Sequence, residues 1–191
     1  MPIRFSDQEK ETIRRKLMEA CAESWTQCGY KKTGVDGLCR SAGISKGAFY
    51  LFFDSKEALF CEVICAVQQR IYDTAAKLIA EKPDKNGVID ALCYLYREYD
   101  KNNFLHDSTS TDYNTLTDRL SPEQLEKMRE LEQKNRSLFL DIPHLRRKLP
   151  EQLMVSTIYS LLMGVKQKDI LPNHVEVFDF LAEHIVDALY E

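Results

Sequence analysis

The residues best placed to do chemistry lie between positions 34 and 53. Leu38, Ala42, Ile44, Phe49 and Phe52 recur at spacings that hold two short helices at a fixed angle. Gly43 falls where the chain must turn sharply between them, a place that favours a residue tolerating positive φ. Cys39 is small, as the first helix requires where the second crosses close to it. Lys46, Gly47, Ala48, Tyr50 and Leu51 are then left to face outward. The pattern meets the packing needs of a helix-turn-helix over about 34–53. An exposed aromatic beside a lysine suits phosphate and groove contact.

Several elements must position that unit. A helix is expected over about 7–28, with Ile13, Leu17, Cys21 and Trp25 spaced by four and Cys28 three further on. Ser6 with Glu9 forms a capping box, and Gly29 is a natural stop. Thr33-Gly34-Val35-Asp36 offers a second N-cap, and Ser45 caps a third helix expected to reach Phe53. Asp54 or Ser55 then opens the longest helix, where Leu59, Val63, Val67, Ile71, Ala75 and Leu78 keep a stride of three or four almost to Pro83. Beyond this break, helices are expected from about Val88, from Pro122 after Ser121, through 153–165 and through 177–189. The run 107–112 has no helical period and reads as a loop or broken helix.

Composition sets the class. The 191 residues include only 7 Gly and 6 Pro, too few for a many-turned β-sandwich, so an all-α chain is expected. Hydrophobic residues at 44% and charged residues at 29% exclude a disordered or collagen-like chain. No apolar run approaches the roughly 18 residues of a membrane span, and Met1-Pro2-Ile3-Arg4-Phe5-Ser6-Asp7 lacks the apolar stretch of a signal peptide. The chain therefore reads as cytoplasmic, with no membrane partner and six reduced cysteines. The net charge of -4 hides an asymmetry: residues 1–56 carry 10 Lys and Arg against 7 Asp and Glu, while the remainder is strongly acidic. A small basic domain on an acidic body can meet an anionic surface.

The residues resemble the DNA-binding signature of the TetR family of bacterial transcriptional regulators. The resemblance is carried by Gly29-Tyr30-Lys31-Lys32-Thr33-Gly34-Val35, Ala42-Gly43-Ile44-Ser45-Lys46-Gly47-Ala48-Phe49-Tyr50 and Phe53-Asp54-Ser55-Lys56-Glu57-Ala58-Leu59-Phe60, and covers about the first 60 residues. It implies an N-terminal tri-helical DNA-binding domain at 1–55 and a C-terminal helical ligand-binding and dimerisation domain at 56–191. It also implies a homodimer on a two-fold related double-stranded operator, with the helix beginning after Ser45 in a major groove. By the same resemblance, Thr33 caps the second helix and touches a phosphate, Tyr50 and Lys56 grip the backbone, and Lys46 reaches phosphate or a base. Gly47 allows close approach, and Ala48 and Leu51 are expected at base or thymine-methyl positions. Two positions depart from the family pattern: Gly34 stands where a hydroxyl or larger side chain is usual, and Phe52 where His or Tyr is common. Both leave the operator sequence open. The implied function is repression relieved by a small-molecule inducer, with the fourth helix transmitting the change.

Other constellations are weaker. Cys61 and Cys65 share a helix face and invite a thiol-sensor or soft-metal reading, but packing as small hydrophobes explains them as well. His106, His144, His174 and His184 are too dispersed for a metal site, and no phosphate loop, dinucleotide fingerprint or nucleophile elbow anchors an enzyme or a cofactor. Aromatic density in the C-terminal part suggests a cavity lined by Tyr96, Phe104, Tyr113, Phe139 and Met163 for an apolar or aromatic inducer. The last two helices carry more apolar residues than an intrachain face needs, which points to dimerisation through them. The alternative is a helical protein- or ligand-binding module without DNA binding.

Overall fold

The computed structural model describes residues 5–105 and 111–191. His106 and the expected loop residues 107–110 lie outside the described residues, as does the start at 1–4. The described chain is all-α: α1 (Asp7–Lys32), α2 (Val35–Ala42), α3 (Lys46–Phe49), α4 (Lys56–Glu81), α5 (Lys85–Lys101), α6 (Thr111–Thr117), α7 (Pro122–Ser137), α8 (Glu151–Leu162) and α9 (His174–Leu189). Two 3-10 segments, Asn103–Leu105 and Met163–Gln167, complete it, and no strand occurs among the described residues. No described helix is long and apolar enough to cross a membrane.

Two compact units partition the chain, 1–66 with 107–128 and 67–106 with 129–191. In the first, α1 begins with the expected capping box: the Ser6 side chain accepts from Glu9 N, and Glu9 reaches back to Ser6 N at 2.7 Å. The helix runs past its expected stop, because Gly29 (φ 79°, ψ 171°) kinks it and lets another turn form up to Lys32. That backbone region is open to glycine almost alone. Leu17, Cys21, Trp25, Leu38, Phe49, Phe53, Leu59 and Phe60 bury their side chains in this unit. Trp25 and Tyr30 both pack on Phe60, with ring centroids 4.6 and 5.0 Å away.

Two elements differ from the sequence expectation here. The third helix is a single turn ending at Phe49, not Phe53, because Leu51, Phe52 and Phe53 form turn bonds back to Ala48 and Phe49. Residues 111–117 form α6, despite their Thr- and Asn-rich composition, because Asp112 has partners at the end of α1: it accepts from Lys31 N at 3.2 Å and pairs with Lys31 Nζ at 3.5 Å.

The second unit packs α5 against α8 and α9. Its α5 starts at Lys85, three residues before the expected Val88, because the Asp84 carboxylate caps Asn86 N and Gly87 N. The α8 helix ends at Leu162, and Val165 falls in the following 3-10 segment. Arg97 makes a two-pronged ion pair with Asp179, joining α5 to α9.

Candidate nucleic-acid interface

The turn between α2 and α3 is made by Gly43 in the left-handed conformation (φ 73°, ψ 31°), whose N–H bonds back to Arg40 O. Ser45 then caps α3, its hydroxyl accepting from Ala48 N at 3.2 Å. This fixes which side chains face out. Ala48 and Phe49 are buried, while Tyr50 and Leu51 stand 54% and 67% exposed. The Tyr50 ring touches the core through an edge contact with Phe49, centroids 5.3 Å apart, yet more than half of each side chain is left in water. Lys46 and Gly47 are exposed beside them, and Lys46 Nζ lies 3.2 Å from Asp36 Oδ2 on α2. Ala48 was expected to face outward; it faces the core because Phe49 and Ala48 together seat the single turn of α3.

The flanking expectations divide. Gly34, exposed and extended, is itself the N-cap of α2 and has no side chain to bond. Thr33 therefore does not cap α2. It closes α1 instead: its hydroxyl donates to Gly29 O at 2.9 Å, lies 2.9 Å from the Ser24 hydroxyl, and is buried. Lys56 is half-buried, donating to Tyr30 O at 2.6 Å with its ammonium 4.0 Å from the Tyr30 ring centroid. Burial lowers its pKa, with Glu57 opposing.

Around it sits a charged cluster that the periodicity of the sequence did not signal. The Tyr30 hydroxyl donates to Glu57, and Arg119 lies 3.6 Å from the same carboxylate. Burial works to raise the Glu57 pKa, but the Tyr30 hydroxyl, its own N–H and Arg119 leave it below the ordinary value. Burial and the Glu57 carboxylate push Tyr30 up to about 12. Arg14 was missed as well: it pairs with Glu62, donates to Phe52 O at 2.8 Å and stacks 4.4 Å over Phe53. It pins the chain leaving the α3 turn to α1 and α4. Only pairing a cationic residue on α1 with an acidic one on α4 would have revealed it.

Residues 17–63 match the family model for bacterial regulatory proteins of the tetR family. The match covers about a quarter of the chain and gives this N-terminal segment its likeness to the TetR family. Its similarity to the regulator YhgD of Bacillus subtilis is 40% identity over 73 residues, covering 38% of this chain and 34% of that protein. The chain thus matches about a third of the length of the curated relatives it resembles. In fold it is similar along nearly its whole length to two solved regulator structures. The fatty acid degradation regulator FadR of Bacillus halodurans aligns with TM-score 0.68 at 15% identity, over 96% of each chain. FadR of Bacillus subtilis, solved with stearoyl-CoA, aligns with TM-score 0.70 at 17% identity, over 90% of this chain and 96% of that one.

The residues expected to line an inducer cavity fall on several elements of the two units. Tyr113 lies on α6 in the first unit. In the second, Tyr96 stacks on Phe178 at 3.9 Å and its hydroxyl lies 3.1 Å from His174 Nδ1. Phe104 is buried in the first 3-10 segment and Met163 opens the second. Phe139, at the end of α7, lines a cavity of about 40 Å3 together with side chains from α4, α7 and α8. All six cysteines are free thiols; Cys28 is exposed, Cys93 half-buried, and the other four, including Cys61 and Cys65, are buried. No group of three or more His, Cys, Asp or Glu placed to hold a metal occurs among the described residues.

Proposed function

We propose that the chain is a transcriptional regulator that binds a two-fold symmetric DNA operator as a homodimer and is released by a small-molecule inducer. The observation that carries this reading is the exposure of Tyr50 and Leu51 next to Lys46 and Gly47, on a helix-turn-helix whose remaining apolar residues are buried or half-buried. Lys46, Tyr50 and the exposed backbone at Gly34 and Ser45 contact phosphate. Leu51 and the face opened by Gly47 approach base edges and thymine methyls. Residues 1–55 form the DNA-binding domain in this reading, and 56–191 the ligand-binding and dimerisation domain. Repression is the expected sign, since an inducer that favours a non-binding state lifts a block. Lys56 and Thr33, engaged with Tyr30 and Gly29, act by holding α1, α2 and α4 in register rather than by gripping DNA with their side chains.

Dimerisation has its own support. On α9, Val177, Phe180 and Leu181 are exposed at i, i+3 and i+4, and Leu153 is exposed on α8. A contiguous apolar face of that kind marks an association surface.

Selection of bound duplexes from a random pool, followed by salt titration on the winner, tests the reading. A palindromic site whose affinity falls steeply with salt is expected. Absence of any enriched duplex with a folded dimer overturns it.

A further inference from the structure

We infer that Asn135 on α7 is the recognition group of an effector site in the second unit, and that its ligand is a small apolar molecule carrying one uncharged polar group. The inference rests on the regulator reading and names the class of its effector. Three polar or charged residues are buried among the described residues, Thr33, Glu98 and Asn135. Two are fully engaged: the Thr33 hydroxyl bonds Gly29 O and Ser24, and the Glu98 carboxylate pairs with Arg70 and Lys101. Asn135 is 6% exposed, its carboxamide makes no hydrogen bond to a described residue, and it lines the 40 Å3 cavity whose apolar walls include Phe139, Ile158 and Leu162.

An amide carries two N–H donors and a carbonyl acceptor, and burying them unsatisfied opposes folding. A leucine would serve packing better at that position. At the same cavity Arg136 Nη2 lies 2.5 Å from Glu132 and the Tyr72 hydroxyl lies 3.0 Å from that of Tyr99, while Tyr159, the other phenol of the lining, is half in solvent. What awaits a ligand is therefore a neutral donor and acceptor, matched by a hydroxyl, ketone or amide and not by a carboxylate or phosphate. The free cavity has room for water-sized occupants only. Tyr159 is both a wall of it and 47% exposed, so its ring can swing outward to admit a larger body without opening the core.

The test uses the full-length chain without DNA and three probes of one size: benzyl alcohol, toluene and benzoate. The 15N-labelled protein is titrated with each while the Asn135 side-chain amide signals are followed. Benzyl alcohol is expected to shift those signals and to bind at least about fivefold more tightly than toluene, with benzoate weakest, because only the alcohol satisfies the amide. In Asn135→Leu the alcohol's advantage disappears while the thermal midpoint holds or rises. Equal binding of alcohol and toluene by the natural chain, tightest binding of benzoate, or an advantage that survives N135L each overturns the inference. The comparison on the natural chain decides the matter even if the variant fails to fold. Duplex selection reports separately on the regulator reading: a chain that selects an operator yet shows no alcohol preference loses only the effector assignment.

Discussion

Lys56 closes the start of α4 onto the end of α1 by donating to the Tyr30 carbonyl at 2.6 Å while lying 4.0 Å from the centre of the same residue's ring. A charged hydrogen bond and a cation–π contact on one residue make Lys56 a stability determinant. Replacing Lys56 with Ala is expected to destabilise the chain by about 2 kcal/mol in denaturant titration. Tyr50→Ala, at an exposed site, is expected to leave the midpoint within about 0.5 kcal/mol while weakening operator binding. The reverse pattern would return Lys56 to the DNA surface.

Gly34 offers a gain. A Cβ there meets nothing within 4 Å, and its backbone (φ -107°, ψ 144°) suits any residue. Gly34→Ser supplies the missing cap for α2 and a hydroxyl on the proposed DNA face. A stabilisation of a few tenths of a kcal/mol is expected, about the difference between Gly and Ser caps, together with tighter operator binding. Thermal melts and a binding isotherm at fixed salt measure the two effects independently.

Acid should loosen the first unit through Glu57. Its folded pKa lies below the ordinary 4.5. The stability it contributes is therefore complete above about 4.5 and lost as pH falls through the lowered folded value. In Glu57→Gln that component is absent, so the decline in stability between pH 5 and 3 should be shallower than in the natural chain. Parallel slopes would show that the carboxylate is not linked to folding.

Phe180, 60% exposed on α9, is the most exposed residue of the proposed dimer face. Phe180→Glu buries a charge in any interface formed there and costs association several kcal/mol. Sedimentation of the variant at micromolar concentration is expected to give the 22.2 kDa monomer, against a doubled mass for the natural chain. An unchanged dimer would move the interface elsewhere.

What could be read from the sequence was local. Ser6 with Glu9, Ser45 before α3 and Gly43 after α2 announce their structures because a cap or a left-handed turn is decided within four residues. The outward set Lys46, Gly47, Tyr50 and Leu51 followed from helical phase alone, whereas Ala48, one step away, turned inward. Thr33 and Lys56 carried the right residue types, yet their partners, Gly29 and Tyr30, are set by the kink in α1, which no periodicity encodes. The same holds for α6, whose Asp112 meets Lys31 across 81 positions of chain. Of the aromatic residues chosen for a cavity, Phe139 does line one, beside the Asn135 amide that aromatic density did not single out, while Tyr96 stacks on Phe178.

The distribution of thiols has a practical side. Cys21, Cys39, Cys61 and Cys65 are buried, and burial with the nearby Asp179 pushes Cys93 up to about 12, leaving little thiolate at neutral pH. Cys28 alone is exposed, one residue before the Gly29 kink and five before Thr33. A maleimide fluorophore should therefore couple at one place, beside the helix-turn-helix, with no cysteine removed by mutagenesis. The natural chain carries its own attachment point for an optical reporter of the proposed binding to and release from DNA.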